Sequence, residues 1–333
     1  MTTLLDTTSA VDRHDATPRT YENLFSAAVP KLQIAWDSVS LGLLKECARK
    51  YYYVIIQGWQ PSGFAAHLAF GLAYHKALET YDIDLALGLG RDEALLNAIR
   101  FCMSYGTRDE HGKFRAYDSM FTREPAKTRD TLLRSVVWYL EQFKNDAAQT
   151  LILSDGSPAV ELTFKINLDW ETPDGNPFLL CGHLDRVVTL DDAVYFMDRK
   201  TTKGQIGSRF WRQFTPNNQM SLYYAATQLV LKEPARGGII DAVELGATYA
   251  RFGRHIIHRT VAQQAEWLQD TYHWLGVATQ YATEEYWPMN DKSCSNYGGC
   301  PFQGICSKDP KVRETFLQHE GFHKRQWNPL ESR

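Results

Sequence analysis

The sequence predicts an α/β protein built on a mixed β-sheet flanked by helices, and three observations carry that expectation. Strand-like stretches follow one another at about 159–169, 178–190 and 193–200, separated by turn-forming residues. Stretches of helical period precede them, and a helix, a strand and a long helix follow. The chain of 333 residues, 44% hydrophobic and 23% charged, is long enough for one large domain or for a core with a helical lobe.

Taken in order, Met1 to Thr20 is rich in Thr, Asp and Arg and lacks the apolar centre of a signal peptide. It reads as a disordered tail on a cytoplasmic protein. Helices are expected at about 62–85, 91–104 and 128–146, the last amphipathic through Leu132, Leu133, Val136, Val137 and Leu140. They place residues 21–150 in an N-terminal helical lobe that includes Cys47 and His75. The first two strands are joined by a Pro173-Asp174-Gly175-Asn176 turn, and the second and third by a tight Asp191-Asp192 turn. A helix at about 216–232, a strand near 242–251 and a helix at about 261–284 complete a core over 151–285. Residues 286–333 form a cysteine-rich segment and a tail. No apolar run reaches the ~18–20 residues of a membrane span, so no membrane is expected.

The hairpin Gly182-His-Leu-Asp-Arg-Val-Val-Thr-Leu-Asp-Asp-Ala-Val-Tyr-Phe-Met-Asp-Arg-Lys200 is the most informative segment. Alternation along a strand puts Asp198 and Lys200 on one side, and hairpin pairing can bring Asp185 beside them. Two carboxylates at one point repel unless a hard cation neutralises them, and Mg²⁺ favours oxygen ligands of this kind. A fixed ammonium beside the metal suits phosphodiester hydrolysis, which needs an activated water and compensation of developing charge.

Other residues align with this hairpin. His75 and Glu79 share a helical face at i,i+4, and Glu161 lies in the alternating run before the hairpin. Gln219 and Tyr223 put a carboxamide and a phenol on one helical face. Net charge is −3 with a pI near 6.4, but a nuclease needs only a local basic track. Lys203, Arg209 and Arg212 follow Lys200 and are read as DNA contacts, with Phe210 and Trp211 available to stack on unpaired bases.

Of six cysteines, Cys102 and Cys181 sit in apolar contexts and read as small buried hydrophobes. Cys294, Cys300 and Cys306 fall in a Gly/Asn/Pro-rich stretch where thiolates can curl round one centre, either Fe–S or tetrahedral Zn²⁺. Without an export signal, disulfides are not expected. The sole Gly-Lys pair, Gly112-Lys113, is followed by Phe114, so the chain has no P-loop and no ATP-driven unwinding of its own.

The ordered set of a helical His, G-x-x-D-R, D-x-K-T and Q-x-x-x-Y, running from about Ser38 to Cys306, resembles the PD-(D/E)XK nuclease superfamily. It looks most like the RecB-like branch, which includes the iron-sulfur exonucleases associated with CRISPR systems and their phage-encoded relatives. The resemblance implies a restriction-endonuclease-like core with His75, Asp185, Asp198 and the Arg199 carbonyl as ligands of Mg²⁺ or Mn²⁺. Lys200 would be the catalytic lysine, with Gln219 and Tyr223 positioning DNA or that lysine. Cys47, in Cys47-Ala-Arg-Lys-Tyr-Tyr-Tyr53, resembles the branch's N-terminal cysteine segment. It would complete a [4Fe–4S] cluster with Cys294, Cys300 and Cys306, structural Zn²⁺ being the alternative. Two features depart from the family pattern: no proline precedes Asp185, and the C-terminal cysteines are spaced C-x5-C-x5-C rather than C-x2-C-x5-C.

The expected activity is metal-dependent DNA exonuclease cleavage in recombination, repair or phage DNA metabolism, acting on single-stranded DNA or free ends. A recombinase, an annealing protein or a helicase is the expected kind of partner. The alternatives are a nuclease subunit of a helicase-nuclease or CRISPR spacer-acquisition complex, and a non-catalytic DNA-end binding module.

Overall fold

The computed structural model describes residues 24–63, 66–108, 114–116, 124–232 and 234–331; the tail expected at 1–20 lies outside them. In chain order come β1 (Ala35–Trp36), α1 (Ser38–Glu46), α2 (Ala48–Tyr51), β2 (Trp59–Pro61), α3 (Ala66–Ala86), α4 (Arg91–Ser104), β3 (Gly106–Arg108) and β4 (Phe114–Ala116). Then follow α5 (Arg129–Gln142), β5 (Gln149–Thr150), β6 (Val160–Glu171), β7 (Pro177–Leu190), β8 (Ala193–Thr202), α6 (Ser208–Arg212) and α7 (Asn218–Leu231). The chain continues through β9 (Ala235–Leu245), β10 (Ala250–Ile257), α8 (Val261–Thr283), α9 (Gln303–Cys306), α10 (Arg313–His319) and β11 (Phe322–Lys324).

These elements form two compact units, each assembled from separate stretches of sequence. One comprises Met1–Gly63, Thr163–Gly182 and Thr260–Arg333; the other comprises Phe64–Leu162 and His183–Arg259. Cys47 belongs to the first and His75 to the second.

The second unit holds β5, the latter part of β7, β8, β9 and β10 of a mixed sheet. β7 and β8 pair antiparallel from Arg186–Met197 to Leu190–Ala193. Their connection places Asp191 and Asp192 at φ 49° and 58°, the left-handed pair that a two-residue hairpin needs and that Asp tolerates better than most residues. β8 runs parallel to β9, β9 antiparallel to β10, and β5 antiparallel to β7.

Helices cover both faces of this sheet. α3 lies on the face carrying Arg199 and Thr201: a Cβ added at its Gly71 would stand 3.4 Å from Thr201 Oγ1. α7 lies on the face carrying Phe196, Asp198 and Lys200, with the Tyr223 ring edge-on to Phe196 at 6.0 Å. The apolar stripe expected on α5 is buried through Leu132, Val136 and Leu140, packed with Phe70, Tyr74 and Leu78 of α3.

One expected element is corrected. The strand placed near 242–251 is instead two strands, β9 and β10, with the turn between them closed by Gly246 N–H donating to the Tyr249 carbonyl at 2.9 Å. The pair Gly237-Gly238 masks the start of β9, since glycine reads as a strand breaker. Here it is required. A Cβ on Gly238 would fall 2.1 Å from the Phe196 ring, its partner in register, and one on Gly237 would fall 2.4 Å from the Ile257 carbonyl oxygen.

In the first unit β1 pairs parallel with the start of β7, and Trp36 stacks on Tyr51 at 5.4 Å. α1 begins with a capping box between Asp37 and Ser40, and α8 with one between Thr260 and Gln263. Tyr53, Trp59, Phe302, Ile305 and Leu317 make a separate apolar cluster, with Cys300 and Cys306 at its edge. Cys102 and Cys181 are each fully buried in their respective units. Burial pushes the Cys102 thiol up to about 12 and the Cys181 thiol well above its ordinary value, so both remain inert thiols at neutral pH.

Candidate active site

The β7–β8 ladder ends at Arg186–Met197, one pair short of Asp185 and Asp198. Beyond that point the Arg199 N–H has lost its strand partner and instead donates to Asp185 Oδ2 at 2.8 Å. N–H and C=O of one strand residue face the same neighbouring strand, so the Arg199 carbonyl also points to the Asp185 side. The two acids thus meet where the hairpin opens.

Asp198 is 1% exposed. Its Oδ2 lies 2.6 Å from Lys200 Nζ, a close ion pair. Burial pushes the Asp198 carboxyl up to about 6, with the charge of Asp185 adding to the rise and Lys200 opposing it. For Asp185 burial acts in the same direction but is outweighed by His75, Lys200 and the Arg199 N–H, which hold it below the usual carboxylate range. His75 Nδ1 stands 3.4 Å from Asp185 Oδ2. The Lys200 ammonium donates to Gln219 Oε1 at 3.1 Å, and Gln219 Nε2 donates to the Tyr223 hydroxyl at 3.0 Å. One face of α7 therefore fixes the lysine.

The structure thus gathers His75, Asp185, Asp198, Arg199, Lys200, Gln219 and Tyr223. Glu79 turns to Lys76 instead, at 2.8 Å, and Glu161 sits half-buried at the start of β6. Lys203 is paired with Glu124. Arg209 and Arg212 lie on α6, where Arg212 borders a shallow depression with Trp211, His255 and His258. The Trp211 ring already stacks on His255 at 5.2 Å.

Among the described residues, no three His, Cys, Asp or Glu side chains are arranged as a ready metal cage. Neither the expected His75, Asp185 and Asp198 set nor the four cysteines form one. Asp185 takes the Arg199 N–H and Asp198 takes Lys200. Cys47 accepts the Asn290 N–H at 3.4 Å, and Cys294 Sγ lies 3.9 Å from the Asn290 carbonyl. The active-site donors nonetheless fit a hard divalent cation: two buried carboxylates side by side and a strand carbonyl turned toward them.

Sequence reading missed what lies on the opposite face. There Asp82 of α3 pairs with Arg199 and, at 3.5 Å, with Arg186. Asp146 meets Arg254 at 2.7 Å, Asp241 meets Arg254 at 3.3 Å, and Tyr139 donates to Asp241. The one available signal was spacing, since Asp82 follows His75 by seven residues and so shares its helical face.

The model of the PD-(D/E)XK nuclease superfamily matches residues 39–307 of the sequence. The chain belongs to that superfamily. No curated protein matches this superfamily member. Among solved structures it is similar to a candidate exonuclease from Eubacterium rectale, at 10% identity over 84% of this chain and 92% of that one, with a TM-score of 0.43. It is also similar to the protein SSO0001, at 12% identity over 74% and 97% of the two chains, with a TM-score of 0.32. No helix among the described residues of this nuclease-superfamily chain is long and apolar enough to cross a membrane.

The raised Asp198 carboxyl gives a testable pH dependence. The folded protein holds a proton that the unfolded chain releases near pH 4, so this group's stabilisation is present below that pH and is lost as pH climbs through about 6. In chelator, Asp198→Asn should therefore be more stable than wild type at pH 7–8, by up to about 3 kcal/mol. The advantage should vanish near pH 4. Thermal unfolding across pH checks this, and a difference that stays constant with pH would contradict it.

Proposed function

We propose that the chain is a metal-dependent deoxyribonuclease that acts from free DNA ends. The convergence of Asp185, Asp198 and Lys200 at the open end of the β7–β8 hairpin carries this reading. Mg²⁺ or Mn²⁺, held by Asp185, Asp198 and the Arg199 carbonyl with His75 beside them, would supply an activated water and charge compensation for the phosphate.

The chain's own groups do the rest. Lys200, fixed by Gln219, which is itself fixed by Tyr223, presents its ammonium beside Asp198, where it can hold the attacking water or meet the developing negative charge. The attacking water gives one proton to solvent as its oxygen bonds to phosphorus, the bond to the leaving oxygen breaks, and that oxygen takes a proton from solvent. Digestion of end-labelled single- and double-stranded DNA with Mg²⁺ or Mn²⁺ tests the reading. Release of short products that chelator stops is expected. Binding of DNA ends without any cleavage would favour the end-binding module instead.

We also infer that Cys47, Cys294, Cys300 and Cys306 bind one structural [4Fe–4S] cluster, or failing that Zn²⁺. Supporting this, the thiols lie close enough to act on one another. Cys300 is raised first by burial and then by Cys294 and Cys47, and Cys306 first by burial and then by Cys300 and Cys47. None is in a disulfide. Anaerobically prepared protein should be brown with broad absorbance near ~400 nm. Cys47→Ser should lower both metal content and melting temperature, since metal-binding free energy becomes folding free energy, whereas Cys102→Ser and Cys181→Ser should leave metal content unchanged. Full metal occupancy in Cys47→Ser would remove Cys47 from the site.

A further inference from the structure

Among the described residues, Lys127 is a buried lysine with no carboxylate in ion-pair contact, although the Glu124 charge acts on it. It ends a short turn at Pro125–Lys127 and is 2% exposed. Its ammonium stands over the Phe70 ring, 4.4 Å from the centroid, and makes no hydrogen bond or ion pair among the described residues. Burial, reinforced by the charge of Lys203 and opposed by that of Glu124, lowers its pKa to about 8. A charge held this way costs stability unless something else needs it.

Glu124 shows what the neighbourhood attracts. Its carboxyl is held below the usual range by the hydrogen bond and charge of Lys203, then, against a small desolvation effect, by the charges of Lys127 and His67. Three cationic or protonatable groups thus surround one carboxylate. The Lys203–Glu124 pair is exposed, at 51% and 43%, and an exposed pair of this kind holds weakly.

The cluster also adjoins the catalytic strand. Lys203 comes three residues after Lys200, roughly 10 Å along an extended chain. Phe70, under the Lys127 ammonium, precedes Gly71, which abuts Thr201 of β8. A nucleic-acid strand carries one charge per ~3.4 Å of rise, so a strand bound at Lys200 has further phosphates within reach of this cluster.

The geometry points to a second anion site, formed by Lys127, Lys203 and His67, that takes a phosphate of the substrate strand away from the scissile bond while the Glu124 carboxylate holds its place in the free protein. The site rests on the nuclease reading only for the identity of the ligand. Phosphate offers the buried ammonium the charge and acceptor oxygens it lacks, and its arrival releases Glu124 to solvent. A backbone phosphodiester and a terminal monophosphate share this chemistry.

Binding of fluorescent single-stranded oligonucleotides with a 5′-phosphate, a 3′-phosphate or neither, titrated across salt, tests the proposal in the full chain carrying Asp198→Asn to prevent cleavage. Adding Lys127→Met should weaken binding about 5–10-fold, lower the salt slope by about 0.7, and leave the melting temperature equal or higher. Adding Glu124→Gln, at an exposed position that does not endanger folding, should tighten binding several-fold. A loss equal on all three oligonucleotides assigns the site to a phosphodiester, and a loss confined to one phosphorylated end assigns it to that monophosphate. Unchanged affinity and slope in Lys127→Met, or weaker binding in Glu124→Gln, overturns the site. Inorganic phosphate reads the site without DNA: it should raise the melting temperature of Glu124→Gln and not of Glu124→Gln/Lys127→Met. If that difference is found while DNA is neither bound nor cut, the site stands and the nuclease reading falls; if DNA is cut and the difference is absent, the reverse holds.

Discussion

Lys200→Ala is expected to reduce DNA cleavage by at least about 10²-fold, the usual scale for removing a preorganised group that meets charge in the transition state, without unfolding the protein. The two halves of that expectation have separate causes. The Lys200 side chain is 28% exposed at the mouth of the site, so its loss opens no core cavity. Asp198 loses its closest opposing charge but can take up a proton, because burial already holds its carboxyl near 6. Activity should therefore fall most at mildly acidic pH, with the acid limb of the pH profile moved upward. Lys200→Arg should not restore it: Gln219 Oε1 is placed for an ammonium at 3.1 Å, and a planar guanidinium presents its donors differently. Gln219→Ala should be milder, since it loosens the lysine without removing it. Cleavage rates at matched Mg²⁺ and several pH values measure all three variants, and a Lys200→Ala protein cutting at the wild-type rate would end the assignment of the catalytic lysine.

Much of this site was legible because it depends on local periodicity. Asp198 and Lys200 are two residues apart on one strand, Gln219 and Tyr223 four apart on one helix, and Asp191-Asp192 fixes the register that brings Asp185 alongside. What stayed hidden is nonlocal. Nothing near Gly237-Gly238 announces that the Phe196 ring from the neighbouring strand must lie across it, so β9 was read too late and fused to β10. Lys127 looks like any surface lysine in sequence, and its burial depends on α3 presenting Phe70. Glu79 was drawn to the site by its spacing from His75, yet Lys76, three residues before it, is the nearer partner. Periodicity says which residues share a face but not which neighbour arrives first.

The charged network beneath the site yields the second large effect. Asp82→Ala is expected to cost about 3–5 kcal/mol of stability, the range for breaking a buried ion pair by removing one partner, and to depress cleavage as well. Asp82 is 5% exposed and Arg199 is 2% exposed. Without Asp82, Arg199 would be left buried with Asp241 acting on it but no ion-pair partner among the described residues, and Arg186, 8% exposed, would keep Thr150 and the Ala148 carbonyl as neutral acceptors and a 4.0 Å approach to Asp146 as its remaining ion pair. Arg199 lies between Asp198 and Lys200 in sequence, and Arg186 follows Asp185. Asp82 therefore grips both active-site strands through their arginines, on the same helix that brings His75 to Asp185. Relaxation of those arginines would shift the backbone that aims the acids, so kcat should fall more than KM rises. Asp82→Asn, which keeps shape and hydrogen-bonding capacity but not charge, should lie between wild type and Asp82→Ala. The decisive comparison is the double variant Asp82→Ala/Arg199→Met, in which the Arg199 charge is removed together with its partner. Denaturant unfolding should find it less destabilised than the sum of the two single variants, because the cost belongs to the stranded charge rather than to the lost contact. Strict additivity would mean that Asp82 and Arg199 stabilise the fold independently.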